Sequence, residues 1–220
     1  VTAAPVPSAA ASEAAPPPRG SRDENPAGIG WFALIAEDLS SHGGPTPGFW
    51  AVAVHRFGNW RMGVRPPLRA PLTALYRAAF HAVRLGFGID LPYDTKLGRR
   101  VRIEHHGAVV IGARAIGDDV VIRHSAILGV MRRDAVDAKP TIERGVEIGP
   151  RACITGAVTI GAGALVCANS VVPIDVPPGA TVLGVPGRLV DLAEHADRSA
   201  SPVAGREKAA SKTTSPVTPT

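Results

Sequence analysis

The chain has 220 residues, a formal net charge of +5, and is 45% hydrophobic but only 5% aromatic. An apolar set of Ala, Val, Ile and Leu, with 24 Gly and 21 Pro, argues against an aromatic-rich core and for a regular fold built on small and β-branched residues. No uninterrupted apolar run is long enough to span a bilayer, and the 2 Cys cannot form a disulfide framework.

Residues 1–27 (VTAAPVPS…) read as a disordered, Pro-stiffened arm without the basic start and apolar stretch of a secretory signal. A reducing, cytoplasmic setting is therefore expected. Residues 28–88 read as a small α-helical subdomain. Apolar spacing predicts helices over 31–39, over 49–60 after the turn GGPTPG, and over 72–85 after Pro71. His55, on the second helix, reads as a packing residue. Residues 191–220 read as a second disordered tail.

From 89 to 190 an internal repeat takes over. Counting in sixes, the first positions are Ile142, Ile148, Ile154, Ile160, Val166 and Val172, and the fifth are Val146, Ala152, Val158, Ala164, Ser170 and Val176. Upstream, the first positions are Leu91, Leu97, Ile103, Val109, Ile116, Ile122 and Leu128. The fifth include Thr95, Val101, Gly107, Ala113, Val120 and Ala126, with one extra residue near Ala115 shifting the phase. A period of six matches neither a helix nor a lone strand. It predicts a mainly β fold, a left-handed parallel β-helix of hexapeptide repeats. Three short strands make each turn, and thirteen hexads make about four coils. Residues 129–141 break the pattern and are expected to loop out.

Stacking hexads three apart puts His105, His124, Pro150 and Ala168 in one column, since neighbouring strands lie about 4.8 Å apart. Two imidazoles followed by small residues suit a long thin ligand such as coenzyme A. Lys139, Arg151 or Arg188 stand ready for its phosphates. The bases are scattered rather than clustered, which favours such a small polyanion over nucleic acid, and no membrane partner is expected.

Residues from about 35 to 190 resemble the serine O-acetyltransferases, a branch of the hexapeptide acyltransferases. The motifs that carry the resemblance are PGFWAVAVHRFGNW (47–60), GIDLPYDTKLGRRVRIEHHG (88–107), IGARAIGDDVVI (111–122), KPTI (139–142) and VPPGATVLGVPGRLV (176–190). The family segment G-[IV]-[DE]-I-H-P-x-A-x-I-G-x-G-x-x-[IL]-D-H keeps its Asp-to-His spacing here. The resemblance implies transfer of acetyl from acetyl-CoA to L-serine, feeding cysteine synthesis. His105 would be the general base and Asp90 its carboxylate partner. Glu104 and Lys139 would bind the acceptor. His124, Gly129, Pro150, Ala168 and Arg188 would line the coenzyme site, with backbone N–H groups near Gly129 stabilising the oxyanion. It also implies a homotrimer or a dimer of trimers, with active sites between prisms and no resident metal. Because the chain ends in Pro-Thr rather than Ile, no complex with a sulfhydrylase is expected.

Three departures bear on the acceptor. The family's looped G-G-T-G-x…D-R-H-P reads G-V-M-R-R-D-A-V-D-A-K-P, so its Arg-His pair becomes Ala138-Lys139. The acidic stretch after the first helix reads D-L-S-S-H-G-G-P, which lacks the family's second Asp. Cys167 and Pro150 replace Gly and Ala. A sugar or polysaccharide-precursor O-acetyltransferase would keep His105 and change the acceptor pocket in this way. Two other classes share the scaffold. One is a γ-carbonic-anhydrase-like zinc enzyme, for which His105 and His124 supply two ligands but the H-x-x-x-x-H spacing is missing. The other is a non-catalytic β-helix that binds a partner through its helices.

Overall fold

A computed structural model of the chain describes residues 23–132 and 134–190. The arms expected at 1–27 and 191–220 fall largely or wholly outside the described residues. Three helices lead in: α1 (Trp31–Ser41), α2 (Pro47–Trp60) and α3 (Pro66–Phe87), with a single 3-10 turn at Arg61–Gly63. Thr46 caps α2 by accepting the Phe49 N–H at 3.3 Å, and Pro47 sits in the first turn, where a missing donor costs nothing. α3 starts before the sequence-based expectation. Pro66 opens it and Pro71 lies inside it. Pro71 is near the exposed start, so one lost backbone bond is outweighed by burial of Tyr76 and Val83 farther along. Gly88, at φ 66°, ends the helix in a left-handed cap.

The rest is a left-handed parallel β-helix. Its first coil is β1 (Ile89–Asp90), β2 (Lys96–Leu97) and β3 (Arg102–Glu104). The second is β4 (Val109–Ile111), β5 (Ala115–Ile116) and β6 (Val121–Arg123). The third is β7 (Ile127–Gly129), β8 (Thr141–Ile142) and β9 (Glu147–Ile148). The fourth is β10 (Cys153–Thr155), β11 (Thr159–Ile160) and β12 (Leu165–Val166). A shorter fifth holds β13 (Val171–Val172) and β14 (Thr181–Leu183), and β15 (Arg188–Val190) folds back antiparallel on β14. Like-placed strands of successive coils pair into three flat sheets, with orders β1-β4-β7-β10-β13, β2-β5-β8-β11 and β3-β6-β9-β12-β14-β15. The prism therefore runs to about five coils rather than four. Val176, read from the repeat as a fifth position, instead stacks on Ile160, and Val182 stacks on Val166, so the buried stack continues through a corner at Pro177 and Pro178.

The first-position aliphatics fill the interior. Leu97, Ile122, Leu128, Ile142, Ile148, Ile154 and Ile160 are all at most 1% exposed. Each such side chain stabilises the fold by about 1.5–3 kcal/mol through burial. The fifth positions Thr95, Val101, Ala113, Val120, Val146 and Ala152 are equally buried.

One stretch departs from the register read off the sequence. Ile103 stacks under Ile122, but it is Ile111, not Val109, that stacks under Leu128. Two extra residues sit at the corner 105–108, and the next side is one residue short. The net shift of one residue surfaces near Ala115 in the sequence but arises at this corner. Val109 takes the fifth-position role expected of Gly107 and is fully buried. At regular corners the amide of Arg151 bonds to the His124 carbonyl and that of Asn169 to the Pro150 carbonyl. At the irregular one the Ser125 amide bonds to Gly107 instead of His105.

The helices are riveted to the first coil by Arg56. Its Nε donates to Asp38 Oδ2 at 2.9 Å, and its two Nη groups donate to the carbonyls of Leu97 and Gly98. Arg56 and Asp38 are both fully buried. His55 is also buried. Its Nε2–H donates to the Thr95 carbonyl at 2.8 Å, and burial, reinforced by the Arg56 charge, pushes its pKa down to about 3. It packs, as expected.

Candidate active-site cleft

A cleft of about 620 Å³ lies where the helices meet the first coil. One wall is the α1–α2 connection, from Ser41 through the first turn of α2. The other is β3 and its exit, residues 102–106. The close approach of these walls depends on Gly48. A Cβ there would run into the Ile103 carbonyl, so only glycine lets the first turn of α2 rest on the β3 backbone. His42 ties the walls together. Its Nδ1–H donates to the Asp38 carbonyl at 2.7 Å and its Nε2 accepts the Ile103 N–H at 3.3 Å. Both bonds require the neutral ring, and burial holds its pKa below the usual histidine value.

The alternation of β3 puts Ile103 inward and Arg102 and Glu104 outward on the same face. Glu104 lies 3.8 Å from Arg102 Nη1 and 3.7 Å from Arg123 Nε, and Arg123 reaches Glu147 at 3.8 Å. These are ion contacts without hydrogen bonds. His105 follows at φ 54°, an uncommon conformation for a residue with a side chain. The two-residue widening of the corner begins here and leaves His105 and His106 exposed at the cleft. His106 turns its ring edge to Phe87, with centroids 6.2 Å apart.

The column read from the repeat is present. His105 and His124 meet edge to face with centroids 6.1 Å apart, and Pro150 and Ala168 continue along the same corner on successive coils. His124 Nδ1 is buried and has no hydrogen-bond partner among the described residues. Other candidate residues stand elsewhere in the single chain. Asp90, on β1, pairs with Arg84 at 3.3 Å, and among the described residues no hydrogen bond joins it to His105. Lys139 pairs with Asp94 at 3.2 Å, away from the cleft. Gly129 closes β7 at the opposite end of its sheet from the histidine corner. Arg188 is exposed on the terminal hairpin. Arg102 and His42 escaped the sequence reading. Arg102 could have been found from its place two residues before Glu104 on a strand, whereas nothing local marks His42. Among the described residues, no three His, Cys, Asp or Glu side chains are grouped to hold a metal ion, and no helix is long and apolar enough to cross a membrane.

Known proteins share this fold. The serine acetyltransferase of Mycobacterium tuberculosis is 38% identical over 147 residues, 66% of this chain and 61% of the relative. That of Salmonella typhimurium is 37% identical over 146 residues, 65% of this chain and 50% of the relative. The solved soybean serine acetyltransferase superimposes with a TM-score of 0.62 at 32% identity, covering 73% of this chain and 69% of that one. The chain belongs to the serine acetyltransferase family. No family model matches it. It spans between half and about three-fifths of the length of these curated relatives. At 73% of this chain, the structural match is longer than the β-helix of residues 89–190 alone.

Proposed function

We propose that the chain transfers acetyl from acetyl-CoA to the hydroxyl of L-serine. The observation that carries this reading is the placement of His105 and Glu104 side by side on one wall of the cleft, in a chain of this family. A soybean relative has been solved complexed with serine, which supports a small hydroxyl acceptor. His105 accepts the hydroxyl proton as the oxygen attacks the thioester carbonyl, because an alcohol is a poor nucleophile near pH 7 until a base takes its proton. The C–O bond forms, the C–S bond breaks, and the same proton returns from the imidazolium to the leaving thiolate. Transfer between two bound substrates needs no acyl-enzyme.

Asp90 serves as the carboxylate partner of His105 when it exchanges Arg84 for the imidazole. His124, Pro150 and Ala168 form the strip for the pantetheine arm. Gly129 and Arg188 complete that site, and Lys139 contributes a charge for the acceptor. The assembly is a homotrimer, alone or as a pair of trimers, with sites between adjacent prisms, in a cytoplasmic setting.

The test is CoA release from acetyl-CoA with L-serine, with a panel of sugars, and with His105→Ala. Serine-dependent release that the variant loses supports the reading. His105-dependent release with a sugar alone moves the acceptor, an outcome favoured to the extent that Lys139 stays engaged by Asp94. No release with any acceptor overturns the reading.

A further inference from the structure

The cleft wall carries formal charges of both signs, and among the described residues that line it Arg102 is the only Lys or Arg. Arg99 and Arg100 are taken up by Glu37 and Asp119 through hydrogen bonds of 2.6–2.9 Å. Arg56 is buried against Asp38. Arg123 is shared between Glu104 and Glu147. Arg102 lines the cleft, its side chain is 43% exposed, and its guanidinium makes no hydrogen bond among the described residues. Its single ion contact is Glu104 at 3.8 Å, too long for a hydrogen bond. Lys139, the cation the sequence offered for the acceptor, is held by Asp94.

Arg102 and Glu104 therefore stand as neighbouring opposite charges on one strand face, next to His105. That arrangement matches a free α-amino acid. The carboxylate of the acceptor meets the guanidinium fork, its ammonium meets Glu104, and its side-chain hydroxyl faces the imidazole. A planar guanidinium suits a carboxylate because two parallel N–H donors meet two oxygens. The loose contact between Arg102 and Glu104 leaves donors and lone pairs free for a ligand. Arg123 stays within 3.7 Å of Glu104 and holds its carboxylate in place.

Resting on the serine reading above, we propose that Arg102 is the specificity residue that binds the acceptor's carboxylate, so that the cleft selects a zwitterionic amino acid over a neutral or amidated hydroxyl compound.

Steady-state kinetics with the full chain tests this, using acetyl-CoA with L-serine, L-serinamide and serinol, on wild type, Arg102→Gln and Arg102→Lys. Arg102→Gln is expected to raise the KM for L-serine about 10- to 100-fold, the equivalent of one charge-assisted pair. It should leave kcat within about threefold and the KM for acetyl-CoA unchanged, which also reports that the variant is folded. Arg102→Lys recovers part of the loss, because it restores a point charge without the fork. In wild type, serinamide and serinol are used as poorly as L-serine is by Arg102→Gln, and that substitution costs them nothing further. Unchanged KM for L-serine in Arg102→Gln overturns the proposal while leaving the serine reading intact. So does equal loss for L-serine and serinamide, or wild-type indifference between them. Absence of any serine-dependent release from wild type overturns both.

Discussion

The third and fourth coils and the corner at 105–108 use the same repeat to opposite ends. From Ile142 onward, past the loop at 129–141, the hexad runs unbroken through the fourth coil. Ile142, Ile148, Ile154 and Ile160 stack inward, and the corners repeat one hydrogen-bond pattern. At 105–108 two residues are inserted and three consecutive positions from 104 to 106 face the cleft, while the positive φ of His105 has counterparts at Arg151 and Asn169 on the regular corners. Regularity buries surface and holds the prism. Irregularity frees polar side chains from the lattice and presents them to a ligand.

Substitutions in the two regions should separate activity from stability. The largest effect is expected at the corner. His105→Ala should lower serine-dependent CoA release by about 10²–10⁴-fold, with little change in Tm, since the ring is exposed. In the upper coils, Ile154→Ala should destabilise by about 2–5 kcal/mol in denaturant unfolding, with both KM values unchanged where the protein remains folded, because Ile154 is fully buried and far from the cleft. Gly48→Ala should do both things moderately. It should cost about 1–3 kcal/mol by overpacking and raise the KM for the acceptor, because the added methyl pushes α2 off the Ile103 carbonyl.

Acidification should act through the rivet beneath the corner. His55 binds its proton far less readily when folded than when unfolded, so the unfolded chain takes up more protons as pH falls. Stability contributed by the neutral ring is present above about pH 6.5 and is lost as pH falls toward about 3. The slope is about 1.4 kcal/mol per pH unit within that window. His55→Gln, which retains an N–H for the Thr95 carbonyl, should flatten that part of a Tm-against-pH curve. The smallest effect is expected at the exposed network. Glu37→Gln removes a partner of Arg99 and Arg100, and should change stability by less than about 1 kcal/mol, less still at high salt.

The prism was legible in the sequence because its rule is local and repeats. A buried aliphatic and a small fifth residue recur every six positions, so both the interior stack and the column of His105, His124, Pro150 and Ala168 follow from counting. The lead-in helices were legible from apolar spacing, except that Pro71 hid the true start of α3. Placing the two-residue insertion was harder. Val109 and Ile111 are both aliphatic, and only pairing with β7 decides which of them stacks under Leu128. The same holds at the cleft. The motif spacing singles out Glu104 and His105, but His42 lies 61 residues from the strand amide it anchors. Asp90 and Lys139 stand in ion pairs with Arg84 and Asp94, partners that no motif names.

By itself the sequence determined the repeat, the handed prism it builds, the helical lead-in and the chemistry-bearing types near residue 105. Those follow from short-range periodicity and from which side chains can be buried. Only the tertiary structure decided where the insertion falls, that Gly48 lets α2 press on β3, and that Arg102 stands beside Glu104 with no hydrogen-bond partner among the described residues. Each of these is set by the distance between groups remote in the chain, which close packing fixes and residue order does not.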